Sequence, residues 1–204
     1  MKIKRLLRNE TGASFFEGIV VFPIVLLTFS ALVEFGFASF QWNQTVKALQ
    51  LGARQLAVSN MLVSAADASA LTADYPGAEG GPTPPTPVSV SCGAGASACI
   101  PDEIQRLVRG SDNDCDPEFG NGIPGICDFN NRILEENIRV TYQRTGLGYV
   151  GRPAGPIVTI IIEARDVNFE LPIMGALFGL DDISIPANPI TITSEDLSNC
   201  SAAC

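Results

Sequence analysis

The hydrophobic residues of this chain are concentrated in one long run near the amino end. Residues 18–33 contain no charged side chain, and apolar residues continue past Glu34 to Phe40. Residues 18–40 would form about 34 Å of helix at 1.5 Å per residue, which is enough to cross a hydrocarbon core about 30 Å thick. The pattern therefore predicts a transmembrane helix over residues 13–40.

Two other structures could account for this apolar run. A buried helix of a soluble domain is less consistent with it, because the run is long and begins close to the terminus. A cleaved secretory signal peptide would carry an apolar segment of roughly 7–15 residues, followed by a cleavage site of small residues. Residues 31–33 offer only a poor cleavage site, and the apolar residues continue beyond it. A membrane anchor is the interpretation that the pattern favours.

A short basic segment precedes the apolar run and indicates its orientation. Its cations are Lys2, Lys4, Arg5 and Arg8. Positively charged flanks stay in the cytoplasm, and the sequence beyond the run is rich in acids. We therefore predict a single-pass inner-membrane protein, with residues 1–12 as a cytoplasmic leader and the carboxyl-terminal domain in the periplasm.

Apolar residues recur every three or four positions beyond the run, which is typical of one face of a helix. The members of this stripe are Trp42, Val46, Leu49, Ala53, Leu56 and Val63. The stripe predicts that an amphipathic helix continues over residues 41–75 and stops before the breaker at Pro76. Such a stripe can pack on the protein's own sheet or contact partner helices in an assembly.

Residues 76–204 have the pattern of a β-rich domain with long loops. The Pro/Gly/Thr-rich residues 76–88 predict a linker, and Pro101 with the two acids after it predicts a short helix over 101–109. Strands are predicted at 137–144, 157–165 and 190–194. The predicted fold class is α+β: a long amino-terminal transmembrane and amphipathic helix packed on a small antiparallel sheet of three or four strands, with disulfide-rich loops.

Charge and composition exclude several classes of function. The 204 residues include 13 basic and 22 acidic side chains and carry a formal charge of -9, whereas nucleic-acid binding needs a basic surface. The chain has no histidine, so Ser-His-Asp and Cys-His catalytic groups cannot form. No P-loop, Gly-x-Ser-x-Gly or dinucleotide-binding motif is present. We predict a protein that is not an enzyme, needs no cofactor and binds no nucleic acid.

All six cysteines follow the apolar run, on the side predicted to be periplasmic. They are Cys92, Cys99, Cys115, Cys127, Cys200 and Cys204. An even number of cysteines in an oxidising compartment indicates disulfides. Proximity along the chain favours three local pairs: Cys92–Cys99, Cys115–Cys127 and Cys200–Cys204. A zinc site is the rival interpretation, but the chain has neither a Cys-x-x-Cys pair nor a histidine.

One loop carries acids at alternate positions, a spacing that a calcium ion could use. These acids are Asp112, Asp114, Asp116 and Glu118. The loop is not an EF-hand, because Pro117 stands where the sixth-position glycine would fall and Ile123 replaces the terminal acid. A solvated acidic loop is the interpretation that we favour, and no metal site is predicted.

Two acids border the apolar run: Glu17 lies at its start and Glu34 near its end. A carboxylate in or beside a membrane is costly unless it is paired or reaches water. Glu34 would lie close to the outer interface. Glu17 ends the sequence Gly-Ala-Ser-Phe-Phe-Glu, which begins at Gly12, after the basic leader.

This arrangement resembles the processing site of type IV prepilins. The resemblance implies that a prepilin peptidase in the membrane cuts between Gly12 and Ala13, so that Glu17 becomes the fifth residue of the mature chain. The new α-ammonium of Ala13 would then have the Glu17 carboxylate as a partner, in the same subunit or a neighbouring one. Gly12, Ala13 and Glu17 are the predicted processing site, and Glu17 and Glu34 are the predicted assembly residues.

Further residues resemble TadE-like proteins, minor pilin-like subunits of the Flp (tight adherence) pilus system. They are Glu17, Pro23, Glu34-Phe35-Gly36 and Gly52-Ala53-Arg54. Residues 158–195 also resemble the family's ending of strand, proline-containing turn, short apolar segment and final strand, whereas residues 76–130 depart from the family. The resemblance implies a TadE-, TadF- or TadG-type minor pilin or pseudopilin. Its implied partners are the lipid bilayer, the prepilin peptidase, and other pilins and pilus-assembly subunits.

Two alternative functions stay open. The chain could be an unprocessed single-pass envelope protein whose disulfide-bonded domain serves in adhesion or binding. It could also be a secreted enzyme with a cleaved signal, although the lack of catalytic motifs weighs against this. The mature amino terminus discriminates between the pilin-like and the unprocessed protein.

Overall fold

The computed structural model describes residues 11–116, 122–153, 155–169, 171–179, 183–184 and 189–194. Contacts divide the chain into two compact units. We call residues 1–40 with 169–183 the apolar unit, and residues 41–168 with 184–204 the disulfide-containing unit. The fold is consistent with the predicted α+β class, since it has a long amino-terminal apolar helix, a small antiparallel sheet and two disulfides.

Helix α1 (Thr11–Ala57) is a single helix of 47 residues. Its residues up to Phe40 belong to the apolar unit and its residues from Gln41 onward to the disulfide-containing unit. The sequence predicted this long helix because the apolar run and the periodic stripe follow one another without a breaker other than Pro23. A proline inside a helix lacks the amide that would bond to the carbonyl four residues earlier, which here is the carbonyl of Ile19.

The carboxyl-terminal part of α1 buries one face in the disulfide-containing unit. The buried residues on this face recur every three or four positions: Gln41, Thr45, Ala48, Leu49, Gly52, Ala53 and Leu56. At Gly52 a methyl group would lie 2.7 Å from Ile126 Cδ1 and 3.2 Å from Ile162 Cδ1. Glycine at this position therefore allows the helix to approach Ile126 and Ile162 closely. Leu49, Ala53 and Leu56 of the predicted stripe lie on this buried face, whereas Trp42 and Val46 are only half-buried.

The predicted extension of the amphipathic helix over residues 41–75 is wrong beyond Ala57, where α1 ends. Backbone groups of the following segment bond to distant parts of the unit instead of continuing the helix. The amide of Leu62 donates to the hydroxyl of Tyr142 at 3.1 Å, and its carbonyl accepts from the amide of Ile100 at 2.8 Å. A new short helix, α2 (Ala65–Ala70), then starts with Ser64 as its side-chain cap.

The main sheet has four antiparallel strands in the order β1-β2-β3-β6. The strands are β1 (Val88–Gly93), β2 (Ile138–Arg144), β3 (Thr159–Ala164) and β6 (Ile190–Thr193). Side chains of β2 and β3 alternate between buried and half-buried positions, as the alternating sequence predicted. Strands β2, β3 and β6 are thus confirmed, whereas β1 begins at the last residue of the predicted linker and was not predicted.

Short helices complete the disulfide-containing unit. Helix α3 (Pro101–Arg109) confirms the predicted helix and buries Ile104, Leu107 and Val108. Helix α4 (Ile126–Phe129) follows, and a 3-10 turn (Glu135–Asn137) leads into β2. Farther along the chain, the short strands β4 (Asn168–Phe169) and β5 (Ile183–Ser184) pair with each other. Helix α5 (Met174–Phe178) lies between them in sequence.

Substitution of Tyr142 tests the hydrogen bond that its hydroxyl accepts from the Leu62 amide, in the segment after α1. Tyr142 is fully buried, and burial raises the pKa of its hydroxyl well above the ordinary value of 10. Tyr142→Phe leaves the Leu62 amide without its acceptor, so we expect a loss of about 1–3 kcal/mol in the free energy of unfolding. Urea unfolding of the detergent-solubilised chain at neutral pH measures it.

The same residue predicts a pH dependence with a definite sign. An unfolded tyrosine releases its proton near pH 10, whereas folded Tyr142 keeps it because its pKa is raised. Stability should therefore fall as the pH rises above about 10, and less steeply in Tyr142→Phe. Tyr149→Phe is the matched control, since Tyr149 is 48% exposed, and should change stability by no more than about 0.5 kcal/mol. Equal effects of the two variants would contradict the assigned bond.

Candidate functional site

The amino-terminal part of α1 exposes its apolar side chains all round. Helix residues 16–57 include a window that is long and apolar enough to cross a membrane, and none of that window is buried inside the protein. Its most exposed large side chains include Phe16, Phe22, Phe29, Leu32, Val33 and Phe35. A core helix of a soluble protein would bury most of such a surface. By its length and composition, this helix could cross a membrane.

The predicted processing residues lie at the beginning of this helix. Gly12 and Ala13 are in its first turn, and Glu17 is exposed. Residues 13 and 17 are separated by four positions, so they lie on the same side of the helix, about 6 Å apart along its axis. A carboxylate at residue 17 is thus placed one turn away from the α-ammonium that cleavage after Gly12 would create.

Glu34 has a different environment from Glu17, although both belong to the apolar run. Glu34 is only 4% exposed, and its Oε1 accepts a hydrogen bond from the backbone amide of Ile173. Glu34 and Ile173 both belong to the apolar unit. At 1.5 Å per residue, Glu17 and Glu34 lie about 25 Å apart along the helix. The structure therefore does not bring the two predicted assembly acids together.

The partner of Glu34 belongs to a short uncharged segment that sequence reasoning did not assign to a site. We call residues 171–179 (LPIMGALFG) the apolar segment; it contains α5 and no charged side chain. Its exposed apolar side chains include Ile173 at 42% and Leu177 at 58%. The apolar composition of this stretch was the available signal, but its contact with Glu34 spans 139 positions of sequence.

Two of the predicted disulfides are formed. Cys92 in β1 bonds to Cys99, and Cys115 bonds to Cys127 in α4. They close short loops with sequence separations of 7 and 12 residues. Such loops stabilise a fold by restricting its unfolded chain, by about 2–3 kcal/mol each in the chain-entropy description. The third predicted pair, Cys200–Cys204, lies outside the described residues.

The acidic loop uses its carboxylates to hold its own backbone. Asp112 Oδ1 accepts from the amide of Asp114 at 3.3 Å, and Asp114 Oδ1 accepts from the amide of Cys115 at 2.8 Å. Asp116 is exposed, and Glu118 lies outside the described residues. Among the residues that the structure describes, no three acidic or cysteine side chains are gathered in a way that could hold a metal ion.

A fully buried arginine at the end of β2 bonds to two backbone carbonyls of the chain between α2 and β1. Arg144 at the end of β2 is 0% exposed and donates to the carbonyls of Leu71 at 2.8 Å and Thr86 at 3.3 Å. It also pairs with Asp74 at 3.5 Å and lies 5.8 Å above the ring of Tyr75. Burial raises the pKa of Tyr75, and the positive charge of Arg144 partly offsets this. These contacts make Arg144 a structural centre of the disulfide-containing unit.

A second cation pairs with one of the adjacent acids that precede β2. Arg109 Nε donates to Glu135 Oε1 at 2.6 Å, and this hydrogen bond lowers the pKa of the Glu135 carboxyl. The pair joins the end of α3 to the 3-10 turn before β2. This ion pair connects two elements of the disulfide-containing unit.

The disulfide-containing unit also has a surface cavity of about 170 Å³ between the end of α1 and α3. Its lining residues are Gln55, Val58, Ser59, Leu62, Glu103, Arg106, Leu107, Ser111 and Ile123. The side chain of Gln55 crosses one side and donates to the carbonyl of Pro124 at 2.6 Å. The volume is below the roughly 300 Å³ at which ligand pockets usually begin.

No protein-family model, curated protein or solved structure matches this chain.

Proposed function

We propose that this chain is a membrane-anchored structural subunit, a TadE-like minor pilin or pseudopilin, that helps to assemble or prime an Flp-type pilus. In this proposal α1 crosses the inner membrane with residues 1–12 in the cytoplasm and the disulfide-containing unit in the periplasm. The observation that carries the proposal is the exposed apolar surface of α1, together with Glu17 as the fifth residue after the proposed cleavage point. Bilayer lipid and neighbouring pilin helices are the environments that would cover such a surface.

The charges around the helix support the proposed orientation. Four cations precede the helix within residues 1–8, whereas the chain as a whole carries a formal charge of -9. Basic flanks are retained on the cytoplasmic side, so the two disulfides would lie in an oxidising compartment. The absence of histidine and of known catalytic motifs from the sequence supports a structural role over an enzymatic one.

The processing step gives the direct test of this proposal. We expect the membrane-extracted protein to begin at Ala13, since a prepilin peptidase would remove the leader that ends at Gly12. Removing residues 1–12 takes away four of the 13 basic and one of the 22 acidic residues, and so changes the formal charge from -9 to -12. Intact-mass measurement together with amino-terminal sequencing identifies the first residue of the mature chain, from which the formal charge follows.

A pair of glycine variants controls this test. Gly12→Val should accumulate as an uncleaved precursor in the membrane, because the peptidase would no longer find its glycine. Gly36→Val should be cleaved normally, since Gly36 lies outside the processing site and a side chain there would meet open space. An amino terminus at Met1, or one beyond residue 30, would reject the pilin-like function.

One alternative is a binding or adhesion module on an unprocessed single-pass anchor, although the cavity of about 170 Å³ in the disulfide-containing unit is small for a ligand pocket. Leu62 and Leu107 supply apolar side chains to the lining of this cavity, and Glu103 and Arg106 supply charged ones. A mature chain that begins at Met1 and remains in the membrane would support this alternative. The same measurement therefore distinguishes the two functions.

A further inference from the structure

We propose that the apolar segment, residues 171–179, is a second membrane-contacting element that lies in the outer boundary of the bilayer, and that Glu34 holds it there. The inference rests on the proposed anchoring of α1 in a membrane. It adds a lipid-facing site in a part of the chain 131 or more positions beyond the end of the transmembrane helix. The partner is the lipid boundary between headgroups and acyl chains.

The proposed depth of Glu34 in the bilayer means that its carboxylate needs a partner. If residues 18–40 cross the bilayer, Glu34 lies about 9 Å inside the end of that stretch, at 1.5 Å per residue. A carboxylate at this depth is costly unless it has a partner and is shielded from lipid. Glu34 is 4% exposed although the large side chains around it in α1, Val33 and Phe35, are 68% and 74% exposed. Something other than α1 itself must therefore cover Glu34.

The apolar segment supplies both the cover and the hydrogen bond. The amide of Ile173 donates to Glu34 Oε1, so the segment must lie at the same depth as Glu34. At that depth its outward side chains would meet acyl chains, which suits the 42% and 58% exposure of Ile173 and Leu177. A charged residue in the segment would be costly there, and residues 171–179 contain none. Interfacial elements of this kind bury an apolar face about 5–10 Å below the headgroups.

The connections of the segment fit a loop that dips into lipid and returns. Strands β4 and β5 pair with each other on either side of it in sequence. This pairing satisfies backbone groups of the two strands that flank the segment, which suits a place near a membrane, where water is scarce. The carboxylate of Glu34 satisfies one amide at the start of α5, whose first amides have no partner within the helix.

Tryptophan fluorescence can locate the segment in a bilayer. The chain has one tryptophan, Trp42, so Trp42→Phe provides a background for single reporters. Leu177→Trp reports on the segment, Val25→Trp on the middle of the helix, and Tyr149→Trp on an exposed site, 48% exposed, in the disulfide-containing unit. The full chain is reconstituted into vesicles of phosphatidylethanolamine and phosphatidylglycerol that contain lipids with a nitroxide near the headgroup or deep in the acyl chain.

We expect the headgroup-proximal nitroxide to quench Leu177→Trp about twofold more than the deep one does, because interfacial elements remain shallow. Val25→Trp should show the reverse order, and Tyr149→Trp should be quenched by neither. If Val25→Trp is quenched by the deep nitroxide and Leu177→Trp is not quenched by either, the inference is wrong although the anchor is correct. If Val25→Trp is not quenched, the anchoring itself is wrong, and the inference fails with it.

The role of Glu34 has its own pair of variants in the Leu177→Trp background. Glu34→Ala removes the acceptor of the Ile173 amide and should reduce the shallow quenching of Leu177→Trp by about half or more, because the segment loses its polar tie at that depth. Glu34→Gln retains a carbonyl oxygen as acceptor and should keep the quenching of the unmodified background. Unchanged quenching in Glu34→Ala would overturn the proposed role of Glu34.

Discussion

Replacing Arg144 by alanine should lower the free energy of unfolding by about 3–5 kcal/mol, because two carbonyls lose their donor and a large buried side chain is removed. The guanidinium donates to the carbonyls of Leu71 and Thr86, at 2.8 and 3.3 Å, and the side chain is 0% exposed. Its ion pair with Asp74 contributes less, since the Asp74 side chain is 70% exposed and solvent screens the interaction. Urea unfolding of the detergent-solubilised chain, followed by Trp42 fluorescence and circular dichroism, measures the change.

Two further substitutions at the same position separate hydrogen bonding from packing. Arg144→Met retains most of the buried volume but has no donor, so it should still lose about 1–3 kcal/mol. Arg144→Lys retains the charge and one donor group but lacks the planar fork that reaches two carbonyls at once, and it should fall between Arg144→Met and the unmodified chain. The expected order of stability is therefore the unmodified chain, then Arg144→Lys, then Arg144→Met, with Arg144→Ala the least stable.

Arg165→Ala is the matched control for Arg144→Ala. Arg165 bonds to Glu163 at 2.8 Å, but its side chain is 42% exposed. A surface pair of this kind contributes about 0–1 kcal/mol. If Arg144→Ala and Arg165→Ala were equally destabilising, or if Arg144→Met were as stable as the unmodified chain, the hydrogen bonds assigned to Arg144 would not matter for stability.

Glu17→Ala should reduce incorporation of the chain into the pilus assembly about a hundredfold or more, because an unpaired partner at membrane depth costs about 3–5 kcal/mol. In the proposed function the Glu17 carboxylate pairs with the α-ammonium of Ala13, in the same subunit or in a neighbour. Loss of a charge makes the helix more apolar, so insertion into the membrane should be unaffected. Cleavage after Gly12 should also continue, because the glycine is the residue that the proposed peptidase requires.

The experiment compares strains that carry the variants in place of the native gene and tests the proposed role in piliation. Surface piliation is measured by electron microscopy, while immunoblots of membrane fractions measure the amount and the processing of the protein. Glu10→Ala is the matched control, since it removes an acid from the leader that cleavage discards, and it should leave piliation unchanged. Normal piliation by the Glu17→Ala strain, in a background where deletion of the gene abolishes piliation, would reduce Glu17 to a tolerated charge at the interface.

Most of the elements of this fold could be predicted because their signals are local. The apolar run determines a long helix within about 40 residues of sequence. The alternation of β2 and β3, and the proline and acids at the start of α3, each act over fewer than about ten residues. The two disulfides close loops of 7 and 12 residues, so proximity along the chain was sufficient to pair their cysteines. Each of these features depends on neighbours in sequence.

Features that depend on distant partners could not be predicted in this way. The stripe on α1 continued past Ala57, but the Leu62 amide bonds to a tyrosine 80 positions away, and this bond competes with continued helix. Strand β1 is an edge strand whose sequence alternates serine with valine, and its assignment depends on pairing with β2.

The contacts of Glu34 and Arg144 show most clearly the difference between features set by local sequence and features set by distant partners. From the sequence, Glu34 was an acid near the end of an apolar helix, and Arg144 was the last residue of an alternating strand. Their partners lie 139 and 73 positions away. A buried ionisable group must be satisfied by whatever the fold brings to it, and the chain can bring that partner from any distance. The helix around Glu34 could therefore be predicted from the continuous apolar run, whereas the backbone amide that bonds to its carboxylate was determined only when residues 171–179 folded against it.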